Sequence, residues 1–353
     1  MTLKETVENA FSSWMNSDAP ESDIVISSRI RIARNLKNLP FPHMLSDEQA
    51  DQVVYAVKAA IDNPKFVQEF GYLELSWMNE LSQVDRQILV EKHLISPDLL
   101  ENYNKKAVVI SEDEAISIMI NEEDHLRIQC INPGLQLKEA WDLVNKLDDG
   151  LESTLDYAFS ERLGYLTACP TNVGTGLRAS VMMHLPGLVL ANQINGVLAA
   201  IAKLGITVRG MYGEGTQATG NLFQISNQIT LGQSEEEIIK NIISITKQLL
   251  AQERAARQIL LKERKEFLED RVCRSLGILK YARMINSDET MKMLSDVRLG
   301  VVLNIIDNIK TSLLSELMVL SRPAYLIKKA GRQISGLERD VLRAKLIREK
   351  LNV

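Results

Sequence analysis

Cysteine is scarce in this chain. Three residues, Cys130, Cys169 and Cys273, with no CxxC spacing, cannot form a disulfide framework. A reducing compartment, the cytoplasm, is expected. No run of about 18 apolar residues occurs, so no membrane span is expected, and residues 1–5 lead into polar sequence, not a signal-peptide core. A basic excess is also missing: the formal net charge is -5. That argues against direct nucleic-acid binding and leaves a modest field suited to a basic partner. No GxxxxGK[ST] loop is present, so any ATP phosphates must be held without a Walker lysine, and there is no HExxH. Gly174-x-Gly176-x-x-Ala179 weakly matches a dinucleotide fingerprint. The acid that such a fingerprint needs further on is absent, since residues 185–208 contain no Asp or Glu.

What is present is the composition of a soluble globular protein, 45% hydrophobic and 25% charged over 353 residues, enough for one large domain or two ordinary ones. Residues 23–33 (DIVISSRIRIA) alternate as a strand, and 46–61 read as a helix with Ser46 or Asp47 near its cap. Three β-rich runs, 107–110, 115–120 and 125–131, are joined by the acidic turns SEDE (111–114) and NEED (121–124), the pattern of an antiparallel meander. Further on, 164–168 read as a strand, the stretch near 177–185 as a helix, 187–204 as an apolar helix, and 206–213 and 221–231 as strands. From Ser234 the texture is helical. A capping box, Ser234 with Glu237, precedes Ile238, Ile242, Ile245 and Leu249, and a second, Ser335 with Glu338, opens the tail. A boundary near 233–255 divides the chain into 1–255 and a helical 256–353.

Several stretches carry chemistry. In NEEDHLR (121–127), adjacent acids at a strand end read either as a solvated turn or as a clamp for a guanidinium, whose planar fork pairs two-pronged with a carboxylate. A guanidinium must lose a proton to attack phosphorus. Against a carboxylate near pKa 4.3, prior deprotonation would cost roughly 11 to 13 kcal/mol, so the carboxylate must take the proton as the N–P bond forms. Burial is expected to raise the carboxylate pKa and help. In YLTACPTNVGTGLRAS (165–180) the glycines let the loop turn sharply and present Arg178. Cys169 there is either a small buried hydrophobe or a thiol with a lowered pKa near arginines. Arg29 and Arg31 share one strand face, and Arg127, Arg178 and Arg209 each sit beside a strand or a glycine loop. Singly each reads as a surface residue; converging, the five would cage phosphates. RGMYGE (209–214) is a glycine-hinged stretch, with Glu214 either a second substrate carboxylate or part of an ordinary turn. In RDVLRA (339–344), Arg339 and Arg343 lie at i, i+4. The stretch is either a solvated helix with an Asp340–Arg343 pair or a site for phosphoarginine.

At these residues the chain resembles the phosphagen (guanidino) kinase family. The matching pieces are SSRIR at 27–31, NEEDHLR at 121–127, CPTNVGTGLRAS at 169–180, RGMYGE at 209–214 and QISNQITLG at 224–232, in the family's order. The resemblance implies an α+β fold, an antiparallel sheet flanked by helices, followed here by a C-terminal helical domain. It implies ATP as phosphoryl donor, held by Ser27, Ser28, Arg29, Ile30 and Arg31, by His93 and Arg127, by Arg178, Ala179, Ser180, Val181 and Met182, and by Arg209, Gly210, Met211, Tyr212, Gly213 and Glu214. Glu122 becomes the lead base, assisted by Glu123 and Glu214, with Cys169 beside the substrate guanidinium. Mg²⁺ is expected on the phosphates, though no local motif declares a metal ligand.

Small-guanidine kinases of that family carry a helical domain before the SxRxR strand, whereas 26 residues precede Ser27 here. This departure, the helical segment after 255, and the segments SSRIRIARN and VEKHLISP resemble the bacterial protein-arginine kinase branch. The branch implies arginine-bearing protein acceptors: a basic heat-shock repressor, and misfolded proteins marked for a Clp chaperone-protease. It also implies an activator protein and an allosteric phosphoarginine sensor at Arg339, Asp340, Arg343 and Ala344. A partner-facing tail makes a homodimer the expected assembly. Two other readings stand beside this one: a kinase for free arginine, and a non-catalytic adapter that binds phosphoarginine.

Overall fold

A computed structural model describes residues 2–209 and 219–352. The strands are β1 (Val25–Arg34), β2 (Leu73–Trp77), β3 (Ala107–Ser111), β4 (Ile116–Ile120), β5 (Leu126–Pro133), β6 (Phe159–Ser160), β7 (Gly164–Tyr165), β8 (Leu177–His184), β9 (Ile206–Arg209) and β10 (Leu222–Asn227). Helices α1 (Leu3–Glu8), α2 (Asp47–Ile61), α3 (Pro64–Phe70), α4 (Gln83–Glu91), α5 (Leu137–Glu152), α6 (Pro186–Leu190) and α7 (Ile194–Ala202) are interspersed with them. Then come α8 (Glu235–Glu263), α9 (Lys265–Tyr281), α10 (Ser287–Val302), α11 (Thr311–Leu320), α12 (Pro323–Ala330) and α13 (Gly336–Lys350).

Eight strands form one sheet in the order β2-β3-β4-β5-β1-β8-β10-β9, and every pairing is antiparallel. The meander expected from 107–131 is β3–β4–β5. Period-2 alternation gives the sheet two distinct faces. Ile30, Ile32, Ile118, Ile128, Val181 and Ile225 point to one face, where they pack with Trp141 and Val144 of α5 and Ile242 and Ile245 of α8. Burying each such side chain contributes about 1.5 to 3 kcal/mol. On the other face, Val108, Ile110, Met119, Ile131 and Leu222 share a second core with Val297, Leu317 and Tyr325 from the helices after 255. Residue 255 itself falls inside α8.

The two expected capping boxes form at Ser234 and Ser335, and of Ser46 and Asp47 it is Ser46 that caps α2, with a capping box of its own. The helix expected near 177–185 is instead β8. Leu177, Ala179, Val181 and Met183 are buried in the first core and alternate with Arg178, Ser180 and Met182, a period of 2, not 3.6. The strand expected over 164–168 reduces to β7, paired with β6. The single helix over 187–204 is two, separated at Asn192, whose φ of 56° no helix accommodates. Of 206–213, the strand covers Ile206–Arg209, and the remainder lies outside the described residues.

Candidate active site

The second face of the sheet carries the arginines. Arg31 lies opposite Gln129 on β5 and Arg178 on β8, and Arg127 shares the parity of Gln129. Arg209 lies opposite Gln224, whose Oε1 accepts from Arg29 Nη2 at 2.7 Å. All five sequence-predicted arginines line one cavity of about 410 Å³. Burial, then Arg127 and Arg178, lower the Arg29 guanidinium to about 10. Burial, then the charges of Arg29, Arg127 and Arg178, hold Arg31 well below its ordinary value, and its buried Nε has no hydrogen-bond partner. Mutually repelling buried cations are costly alone and become favourable around a polyanion.

An apolar recess joins this cavity, sharing Arg29, His93 and Gln224 with it and lined further by Trp14, Ile131, Met182 and Met318. His93 (φ 63°) meets Trp14 edge-on, 5.7 Å between ring centres, and its carbonyl accepts from Gln129 Nε2. Burial, then Arg29 and Arg322, push its imidazole down to about 3, so it is neutral. Ser27 and Ser180 also line the recess. Ser28 instead donates to the Gly134 carbonyl, and Ile30, Ala179 and Val181 turn their side chains into the first core. Sequence reasoning missed Met318, which arrives from α11, nearly two hundred positions beyond the meander.

Next to the arginines stands the NEED turn, fixed by buried polar contacts. Asp124 accepts from Asn35 Nδ2 at 2.6 Å and from the Ala168 amide at 2.7 Å. Asn35 Oδ1 accepts from the His125 amide at 2.9 Å. His125 Nδ1 accepts from the Leu36 amide while Nε2 donates to the Pro40 carbonyl, and burial lowers the ring to about 4. Asp124 thus ties the turn to the Cys169 loop, with Asn35 as the missed partner.

Glu122 is 8% exposed. Its oxygens accept from Arg127 Nη1 at 2.6 and 2.8 Å, and Oε1 also from Ser96 Oγ at 2.6 Å. Burial raises this carboxyl, but the charge and hydrogen bond of Arg127, then Ser96 and Arg31, outweigh it and leave it below 4.5. The expectation of a raised carboxyl is therefore corrected: burial acts in the expected direction, but the paired Arg127 outweighs it. Glu123 is exposed and lines a depression together with Cys169, Arg31, Arg127, Arg178 and Arg209. Cys169 Sγ lies 3.0 Å from Thr171 Oγ1. Gly176 (φ 67°) brings this loop against β1; a Cβ there would lie 2.7 Å from the Ala33 carbonyl.

Gly210, Met211, Tyr212, Gly213 and Glu214 lie outside the described residues. In the tail, Asp340 and Arg343 do pair, but Arg343 is not solvated: it is 2% exposed and donates to the carbonyls of Ser321 and Ile285, both at 2.8 Å. Ala344 is buried and Arg339 half-buried. A further missed residue is Glu91, buried, which accepts from the Ala324 and Tyr325 amides at the start of α12. Burial lifts it to about 7 against those hydrogen bonds and the charges of Arg322 and Arg343. Among the described residues, no group of three His, Cys, Asp or Glu could hold a metal. No described helix is long and apolar enough to cross a membrane.

Two family models match. Residues 52–256 match the ATP:guanido phosphotransferase C-terminal catalytic domain, and 265–353 match the protein-arginine kinase McsB C-terminal domain. Among curated relatives, a protein-arginine kinase of Pelotomaculum thermopropionicum is 65% identical over 350 residues, 99% of this chain and 98% of the relative. One of Desulforamulus reducens is 60% identical over 352 residues, 100% of this chain and 99% of the relative. Among solved structures, a lombricine kinase superposes with a TM-score of 0.59 at 23% identity, covering 70% of this chain and 72% of that one. The duplicated taurocyamine kinase of Schistosoma mansoni, bound to transition-state analog components, gives 0.60 at 23% identity, covering 82% of this chain and 40% of that one.

Proposed function

The chain belongs to the ATP:guanido phosphotransferase (phosphagen kinase) family, in its protein-arginine kinase branch, and from that premise we propose that it transfers the γ-phosphoryl group of ATP to arginine side chains of proteins. One observation carries the reading: Arg31, Arg127, Arg178 and Arg209 share a depression with Glu123 and Cys169, so phosphate-binding and guanidinium-binding groups meet in one place.

The arginines bind and orient the phosphates, and a Mg²⁺ carried there adds charge neutralisation. Glu122 begins paired with Arg127. Phosphate oxygens compete for Arg127, which frees Glu122 to orient the acceptor guanidinium with Glu123. The guanidinium nitrogen then forms the N–P bond, the bond from phosphorus to the ADP oxygen breaks, and the nitrogen's proton passes to the carboxylate. Because a guanidinium is far more basic than any ordinary carboxylate, that transfer accompanies N–P bond formation and does not precede it.

Within the same proposal the acceptors are misfolded proteins and a basic heat-shock repressor. An activator protein and a Clp chaperone-protease are the partners, the compartment is cytoplasmic and the assembly a homodimer. Branch membership supports these. Residues 1–255 form the catalytic unit and 256–353 the helical one, in which Arg339, Asp340, Arg343 and Ala344 sense phosphoarginine. Support for the sensor is the half-buried Arg339 beside an Asp340–Arg343 pair anchored to the Ser321 and Ile285 carbonyls.

The test is mass spectrometry at neutral pH of an unfolded basic protein incubated with ATP and the enzyme. Phosphoarginine made by the wild type and lost in Glu122→Gln is expected. No phosphoarginine from the wild type overturns the kinase reading, and free arginine phosphorylated in preference to the protein overturns the acceptor.

A further inference from the structure

A groove of about 420 Å³ lies against the carboxylate turn, and the mechanism above uses only the two carboxylates at its edge. Its size falls within the range of about 300 to 1,000 Å³ typical of binding sites. Asn121, Glu122 and Glu123 border it. One wall is the entry to α2, with His43 and Asp47; the other is the 102–106 segment, with Lys106. The two walls are joined through the turn itself. Asn121, 4% exposed, donates from Nδ2 to the Ala50 carbonyl on one side and the Lys105 carbonyl on the other, both at 3.0 Å. Lys105 also reaches Asp51 on α2 at 3.2 Å. The groove is thus a built shape, locked to the catalytic turn.

Its place relative to the arginines is informative. The arginine cavity includes neither turn carboxylate, the middle depression combines Glu123 with four arginines, and the groove has both Glu122 and Glu123 but no arginine. The order is arginines, carboxylates, groove. In an in-line displacement the attacking nitrogen and the leaving oxygen lie on opposite sides of phosphorus. With the phosphates on the arginines, the acceptor comes from the carboxylate side. A side chain attached to a polypeptide also brings its backbone and neighbours, which need room beyond Glu123.

We propose that this groove seats the acceptor polypeptide, as an extended segment flanking the target arginine; the proposal rests on the kinase reading above. The lining selects for an extended chain more than for a sequence. Asp47 and Lys106 are of opposite sign, Lys105 is paired with Asp51, and Leu45 adds an apolar surface.

His43 is exposed on the wall and lies outside the phosphate-binding and carboxylate groups. His43→Trp narrows the groove. The KM for an unfolded acceptor protein is expected to rise about tenfold, with the KM for ATP and the melting temperature unchanged. A benzophenone amino acid at position 43 is expected to crosslink within a few residues of the phosphorylated arginine. An unchanged acceptor KM, or crosslinks unrelated to the phosphorylated positions, overturns the groove while phosphoarginine formation leaves the kinase reading standing. Absence of phosphoarginine with the wild type overturns both.

Discussion

The β3–β4–β5 meander turns on two acidic connections at opposite ends of β4, SEDE at 111–114 and NEED at 121–124, and the two are put to different uses. In the first, Glu114 is 3% exposed and accepts from Lys92 Nζ and Ser12 Oγ. Lys92, wholly buried, spends its other protons on the carbonyls of Thr6 and Asn9. That pair is closed: each charge has its counter-charge and its hydrogen bonds, and it staples the N-terminal segment to the sheet. In the second turn, Glu122 meets an arginine that belongs to a group of mutually repelling guanidiniums, and Glu123 faces the cleft. That turn is open, because its surroundings are completed only by an anion and a second guanidinium. Composition makes the turns look alike; the cations that surround them decide which is scaffold and which is chemistry.

Substitution can break this contrast. Glu122→Gln is expected to lower the rate of phosphoarginine formation about 10²- to 10⁴-fold, with a smaller loss of stability than Glu114→Gln because Arg127 keeps partial solvent access; a larger loss of stability with activity retained would reverse the roles assigned to the turns. Glu114→Gln leaves Lys92 buried without its counter-charge and is expected to cost about 3 to 5 kcal/mol in chemical denaturation, with the folded fraction still active. Glu91 is a third buried carboxylate, held by helix amides. Its folded pKa of about 7 lies above its ordinary value, so its contribution is most favourable at low pH and is lost as pH rises through 7. The stability of Glu91→Gln relative to wild type is therefore expected to increase from pH 5 to pH 8, by roughly 2 to 3 kcal/mol at most. A flat difference would show that the amides of α12 fully offset burial. The smallest effect belongs to Cys169→Ser, where a loss of about tenfold or less in kcat/KM is expected, because Cys169 only flanks the reacting groups.

Much of this was legible from local pattern. Alternation in SSRIR places Arg29 and Arg31 on one face, and the meander and two capping boxes follow from spacings of two to four residues. What was not legible depends on distant partners. β8 was misread because Ala, Ser and Met have little strand preference and only the flanking β1 and β10 reveal its period. The acidity of Glu122 is set partly by Ser96 and Arg31, remote in sequence. Met318 and Glu91 gain their roles from contacts between the sheet half and the later helices, with Glu91 reaching amides 233 and 234 positions away.

Glu91, Lys92 and His93 are consecutive, yet each is held by a different part of the molecule. Glu91 is held by the first turn of α12, Lys92 by Glu114 and the N-terminal carbonyls, and His93 by Trp14 beside the arginine cleft. A link two peptide bonds long has almost no slack. Two peptide bonds thus tie the wall of the recess, the N-terminal segment and the first turn of α12 to one another, so none of the three can be repositioned without the other two.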